Sequence, residues 1–225
     1  MTQELWTAVD EHICRHLLDK DTALEAAAAA GESAGLPPIA VTPNQGKLLE
    51  LLVRIHKSER VLELGTLGGY STIWLARGVP AQGTVVTLEL SPDYAAVARE
   101  SIARAGLAAR VDLRVGAALE TLAAMHAAGE PPFDLIFIDA DKQNYPGYLE
   151  WSLKLSRPGT VLIGDNVVRS GGILDTGSDD GVIQGVRRFY ELLEAEPRVD
   201  ATAVQTVGAK GHDGFALGIV LGAAR

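Results

Sequence analysis

The 225-residue sequence predicts an α/β fold, a doubly wound, largely parallel sheet that ends in an antiparallel hairpin. Three observations predict it. From residue 60 onward, short apolar runs alternate with helical stretches, which is the pattern of βαβ units. Those runs are apolar on both faces, as strands covered by helices on each side must be. The last two runs follow one another without a helix between them, so they pair antiparallel.

Taken in order, the chain opens with helical segments at 3–19 and 21–33, the second carrying an alanine run. Gly35, Pro37 and Pro38 break that pattern. Thr42-Pro43-Asn44-Gln45 then reads as an N-cap, a proline at the first helical position and a glutamine at the third. This capping box predicts a helix to about Lys57. Parallel strands are expected at 60–64, 84–88, 110–115, 133–138 and 160–164, with helices starting near Tyr70, Pro92, Ala117 and Tyr145. Ser91-Pro92 is a clean helix start, and Gly106 a plausible stop. A helix at 183–193 precedes the hairpin strands 200–207 and 214–221, joined by a connection at 208–214. The expected architecture is one domain over 1–225, with helices at 1–58 packed on a core at 59–225. Trp6, Val9, Ile13, Leu17 and Leu18 recur at helical spacing and read as a core-facing stripe.

Composition narrows the function classes. A formal charge of −9 disfavours nucleic acid as a partner, because phosphate binding needs clustered Lys and Arg. The single cysteine, Cys14, has no partner for an internal disulfide and fits a reducing compartment. The N-terminal stretch mixes charge into every turn, and no run approaches the roughly 20 apolar residues of a membrane span. A soluble, cytoplasmic protein is expected.

Chemistry is concentrated where strands end. The first strand runs into Glu63-Leu64-Gly65-Thr66-Leu67-Gly68-Gly69-Tyr70-Ser71, a glycine-rich turn of the kind that lets a ligand approach backbone at a helix start. Its spacing is not the dinucleotide pattern G-x-G-x-x-G. Glu63 ahead of the turn would repel a pyrophosphate but suits a ligand bearing an amino group and a sulfonium. Glu89 closes the second strand, roughly 20 residues on, where an acid binds ribose hydroxyls. Phe137-Ile138-Asp139-Ala140-Asp141-Lys142 and Gly164-Asp165-Asn166 end adjacent strands. Asp139, Asp165 and the Asn166 amide are hard oxygen donors that suit Mg²⁺, with Mn²⁺ or Ca²⁺ as alternatives.

In this order and spacing, LELGTLGGYS, VTLEL, FIDADKQNY and GDN resemble the metal-dependent O-methyltransferase family that includes catechol and caffeoyl-CoA O-methyltransferases. The resemblance implies a Rossmann-like seven-stranded sheet and S-adenosylmethionine as methyl donor. It assigns Glu63, Gly65, Thr66, Ser71 and Glu89 to that cofactor, together with Val41, Ala117 and Asp139. It assigns Asp139, Asp165 and Asn166 to a divalent metal and Lys142 to the role of general base. Because the family commonly dimerises, a homodimer is expected. The segment 167–181 departs from the plant enzymes, and Lys210 and His212 are left without a role.

The expected reaction moves a methyl group to one hydroxyl of a small aromatic vicinal diol. A phenol with a pKa of roughly 10 is protonated at neutral pH, and a bound cation would stabilise the anion and orient it. With three protein ligands, an octahedral ion keeps room for both oxygens of a diol. The alternatives on the same scaffold are a non-vicinal phenol, a hydroxamate or an amine. From other classes come a nicotinamide-dependent dehydrogenase and a non-catalytic cofactor-binding subunit.

Overall fold

The computed structural model describes residues 2–222. Helices are α1 (Gln3–Leu17), α2 (Thr22–Ser33), α3 (Pro43–His56), α4 (Tyr70–Gly78), α5 (Pro92–Arg104), α6 (Ala118–Ala127), α7 (Tyr145–Lys154) and α8 (Gly181–Ala195). Strands are β1 (Arg60–Leu64), β2 (Thr84–Glu89), β3 (Val111–Val115), β4 (Phe133–Ile138), β5 (Ser156–Asp165), β6 (Val199–Gly208) and β7 (Gly211–Val220). They form one sheet in the order β3-β2-β1-β4-β5-β7-β6, with the first five strands parallel and β7 antiparallel to both neighbours. This is the expected doubly wound seven-stranded arrangement, and its order reverses between β1 and β4. A crevice opens at such a reversal, above the carboxyl ends of the strands. Residues 1 and 223–225 of the expected domain lie outside the described residues.

Local chemistry explains the boundaries. Asp21 caps α2 by accepting from the amides of Ala23 and Leu24, and Ser91 caps α5 with Pro92 at its first position. Strand β4 is buried at every residue, as expected for a strand covered on both faces. One core cluster joins Leu62, Leu64, Ile136, Ile138, Tyr145 and Phe189 on one side of the sheet. A second joins Val53, Val61, Ile73, Leu75, Leu135 and Phe137 on the other.

Four expectations need correction. Strand β5 begins at Ser156, earlier than expected, after a register shift against β4 between Phe133 and Leu135. The hairpin connection is a two-residue turn at Ala209-Lys210, because β6 and β7 pair out to Gly208 and Gly211. Thr42 makes no side-chain cap bond, so the capping box does not form; Gln45 points elsewhere. The α1 stripe is not core. No residue of α1 is buried, and Leu5, Val9, Ile13 and Leu17 are exposed. Among the described residues, no helix is long and apolar enough to cross a membrane.

Candidate active site at the carboxyl edge of the sheet

The turn after β1 is shaped by close backbone approach. Gly65 has φ +95°, and a Cβ there would lie 2.4 Å from the carbonyl oxygen of Asp139. Only glycine lets the β1 turn sit against the end of β4. Glu63 beneath it is fully buried and accepts hydrogen bonds from the hydroxyls of Ser71 (2.6 Å), Thr72 (2.5 Å) and Thr87 (2.6 Å). Burial still pushes its carboxyl up to about 7, the hydroxyls opposing and the charge of Asp139 adding to the rise. Glu63 therefore lies one layer below the crevice wall.

Glu89 closes the far side of the turn. Its carboxylate accepts from the backbone amides of Thr66 (3.2 Å), Leu67 (2.8 Å) and Ser91 (2.9 Å). The acid read from the sequence as a ribose ligand thus also braces the glycine turn. Val41 is buried in the loop before α3, Ser71 is buried in α4, and Ala117 is half-buried at the start of α6.

At the ends of β4 and β5 the charge balance is different. Lys142 is buried, donates to Asp139 Oδ1 at 2.9 Å, and lies 4.9 Å from the centre of the Tyr145 ring. The neighbouring Asp141 is engaged by Tyr148 and Asn144, each at 2.5 Å. A Cβ at Gly185 would lie 2.2 Å from the Lys142 carbonyl oxygen, so α8 packs directly on the turn that carries Lys142. Asp165 is 4% exposed; its Oδ2 accepts from Gln45 Nε2 at 2.7 Å and its Oδ1 from the Asn166 amide at 2.8 Å. Burial and then the charge of Asp139 push the Asp165 carboxyl up to about 7, with Lys142 opposing.

Two acids share this pocket against one lysine. The donors are hard oxygens, and the excess of negative charge is what a small divalent cation would neutralise, so the residues fit such an ion. Among the described residues no three His, Cys, Asp or Glu side chains gather around a metal-sized space. The fitting set is two carboxylates completed by the Asn166 amide.

Sequence reasoning missed several residues that build this edge. Tyr145 shares its hydroxyl between the carbonyls of Ile138 (2.8 Å) and Asp165 (2.7 Å), tying the ends of β4 and β5 together. Burial raises its pKa well above the usual phenol value, so it stays a donor. Asp213 of β7 accepts from the amides of Val168 (3.0 Å) and Arg169 (2.9 Å). It thereby holds a segment in which Asn166, Arg169 and Ser170 all have φ near +53°. Gln45 and Asp213 lie about 120 and 45 residues from their partners, and no local pattern signals such contacts.

Comparison with known proteins shows the family. The model of a family described as O-methyltransferase matches residues 13–217. The chain is 49% identical to the catechol O-methyltransferase of Niastella koreensis, over 98% of this chain and 100% of that protein. It is 53% identical to the catechol O-methyltransferase of Mycobacterium tuberculosis, over 94% of each. An O-methyltransferase of Bacillus cereus, solved with S-adenosylhomocysteine, superposes with a TM-score of 0.96 at 56% identity, covering 97% of this chain and 100% of that one. Fold, edge geometry and these likenesses agree: the chain belongs to the O-methyltransferase family.

Proposed function

We propose that the protein transfers a methyl group from S-adenosylmethionine to one hydroxyl of a small aromatic vicinal diol, with the help of a divalent cation, Mg²⁺ before Mn²⁺ or Ca²⁺. The observation that carries this reading is the pair Asp139 and Asp165, acids ending adjacent strands beside the glycine turn, the first half-buried and paired with Lys142, the second almost fully buried. The product-bound Bacillus cereus relative and the names of the two bacterial catechol enzymes support it.

In this reading Gly65 and Thr66 offer backbone to the cofactor, Glu89 its second carboxylate lone pairs to the ribose, and Val41, Ser71 and Ala117 line the rest. Glu63 places a buried carboxyl under the cationic methionine end. Asp139, Asp165 and Asn166 would hold the cation, which when bound supplies Lewis-acid stabilisation of an oxyanion. Transfer forms an O–C bond and breaks the C–S bond, and the hydroxyl proton must leave. Lys142 takes it: the ion pair with Asp139 opens, the ammonium releases one proton to solvent, and the neutral amine then accepts the hydroxyl proton. Tyr145 and Asp213 keep both strand ends and the 166–170 segment fixed, which preserves the attack line.

We further propose a homodimer, supported by the exposed α1 stripe and by exposed Leu48, Leu51 and Ile55 on neighbouring α3.

A methyl-transfer assay with matched catechols and monophenols, with and without chelator, tests the function. Chelation should abolish transfer and Mg²⁺ restore it. Diols should exceed monophenols by about 10²-fold in kcat/KM, the scale of lost alignment. Full activity in metal-free protein would overturn the metal mechanism. Equal rates for the two acceptor types would move the non-vicinal acceptors to first place.

A further inference from the structure

The β6–β7 hairpin reaches well beyond the sheet it closes. Asp165, the last residue of β5, pairs with Phe215, yet β7 begins at Gly211 and continues to pair with β6 there. Four residues at about 3.3 Å each carry the hairpin tip roughly 13 Å past the end of β5. The tip therefore stands over the carboxyl edge, where Asp139 and Asp165 lie.

That tip is fixed by contacts that leave one side chain to spare. Gln3 Nε2 donates to the carbonyls of Gly208 (2.9 Å) and Ala209 (3.1 Å), and the Ala209 amide donates to Asp10 Oδ2 at 2.8 Å. Asn44 Nδ2 in turn donates to Asp10 Oδ1 at 2.9 Å, which joins the tip to the start of α3. Lys210 is the remaining tip residue. Its Nζ donates to the Pro38 carbonyl at 2.9 Å, in the loop that leads to Val41.

A charge inventory of the edge singles out this ammonium. Lys142 is paired with Asp139, and Arg169 lies 3.5 Å from Asp213. Lys210 has no carboxylate partner within 4 Å among the described residues, and its three donors serve one neutral carbonyl. The residue is exposed as a whole, but its ammonium end is partly desolvated, which lowers its pKa; Asp139 and Asp165 oppose that fall. The same two acids that would face the acceptor hydroxyls thus feel this cation.

We propose that Lys210 anchors an anionic group of the acceptor, so that the preferred substrates are catechols bearing a carboxylate. The proposal rests on the catechol reading above and narrows it. The hydroxyl pair lies at Asp139 and Asp165, and the carboxylate at the far end of the ring or on a short side chain takes a charge-assisted bond from Lys210. The Pro38 carbonyl holds the ammonium in place until the acceptor arrives.

The test compares 3,4-dihydroxybenzoate and 3-(3,4-dihydroxyphenyl)propanoate with their uncharged amides, in wild type and Lys210→Met, at saturating cofactor and Mg²⁺. Wild type should favour at least one acid over its amide by about ten- to a hundredfold in kcat/KM, the scale of one hydrogen bond to a charged group. Lys210→Met should lose that preference through KM, with kcat and the amide values nearly unchanged, and Lys210→Arg should restore most of it. Calorimetry of acid binding to the protein loaded with S-adenosylhomocysteine and Mg²⁺ should show the same loss. Equal losses for acid and amide would make Lys210 a structural clasp and overturn the proposal, as would acid binding unaffected by Lys210→Met. If wild type methylates neither acceptor type, the catechol reading fails, and acid binding alone then decides for or against Lys210.

Discussion

The two halves of the carboxyl edge are built on opposite principles. On the β1–β2 side every acid is satisfied locally: Glu63 by three hydroxyls, Glu89 by three backbone amides. On the β4–β5 side Asp165 is held by Gln45 from far along the chain and Asp139 by a lysine three residues on, and the mutual repulsion of the two acids is only partly cancelled. The first half is complete as folded and needs only to receive a ligand. The second stores unfavourable charge that a bound cation would relieve. In the proposed reading, cofactor binding then falls mainly to the first half and chemistry to the second.

The largest effect should come from breaking the second half alone. Asp165→Ala removes one carboxylate from the proposed ion site and leaves the glycine turn untouched. Turnover should fall by at least about 10²- to 10³-fold, as when one group that stabilises transition-state charge is lost. The dissociation constant for S-adenosylhomocysteine should change by less than about twofold. Calorimetry showing cofactor affinity lost along with activity would erase the division between the halves. Asp165→Asn sharpens it: with the repelling charge gone, metal-free protein should melt no lower than wild type, and Mg²⁺ should no longer raise its Tm.

A smaller effect is expected in the first half, and it should appear in two readouts together. Because Glu89 braces the turn as well as serving the proposed ribose site, Glu89→Ala strands three amide donors. Cofactor affinity should weaken by about 1.5–3 kcal/mol, the range for hydrogen bonds to a charged group, and stability should fall by about 1–3 kcal/mol. A variant that binds poorly yet unfolds at the wild-type denaturant midpoint would show that Glu89 has no bracing role.

The contrast between the halves also explains what the sequence made legible. Glu63, the glycine turn and Glu89 belong to contiguous motifs whose partners are mostly near in sequence or on the next strand, so motif order, charge and the family resemblance together marked them as candidates. Asp139, Asp165 and Asn166 were legible as strand-end residues, but what holds them was not. Gln45 looked like the third residue of a capping box and instead reaches Asp165. Tyr145 looked like an ordinary helix start and instead ties two strand ends. The α1 stripe failed for a related reason: helical periodicity reports an apolar face, and nothing local says whether that face meets this chain or another surface.

The finest comparison concerns Glu63, because it lies in the satisfied half yet is not comfortably ionised. Its carboxyl is pushed up to about 7 by burial, so it is mostly neutral at pH 6 and mostly charged at pH 8. S-adenosylmethionine carries a sulfonium charge that S-adenosylhomocysteine lacks, and the two are otherwise nearly alike. Ionised Glu63 favours the charged member of the pair and neutral Glu63 does not, so the preference for S-adenosylmethionine should grow as pH rises. At an effective dielectric of about 20, unit charges about 10 Å apart interact by about 1.7 kcal/mol. Titration between pH 6 and 8 realises most of that, and the ratio of the two dissociation constants should shift about three- to tenfold. Asp165 titrates in the same range and adds a trend of the same sign. Glu63→Gln separates them: the part of the rise it removes belongs to Glu63, and what remains belongs to the β4–β5 acids. A ratio independent of pH, or one with the same slope in Glu63→Gln, would show that the buried carboxyl is only a brace for the hydroxyls of Ser71, Thr72 and Thr87 and does not sense the cofactor.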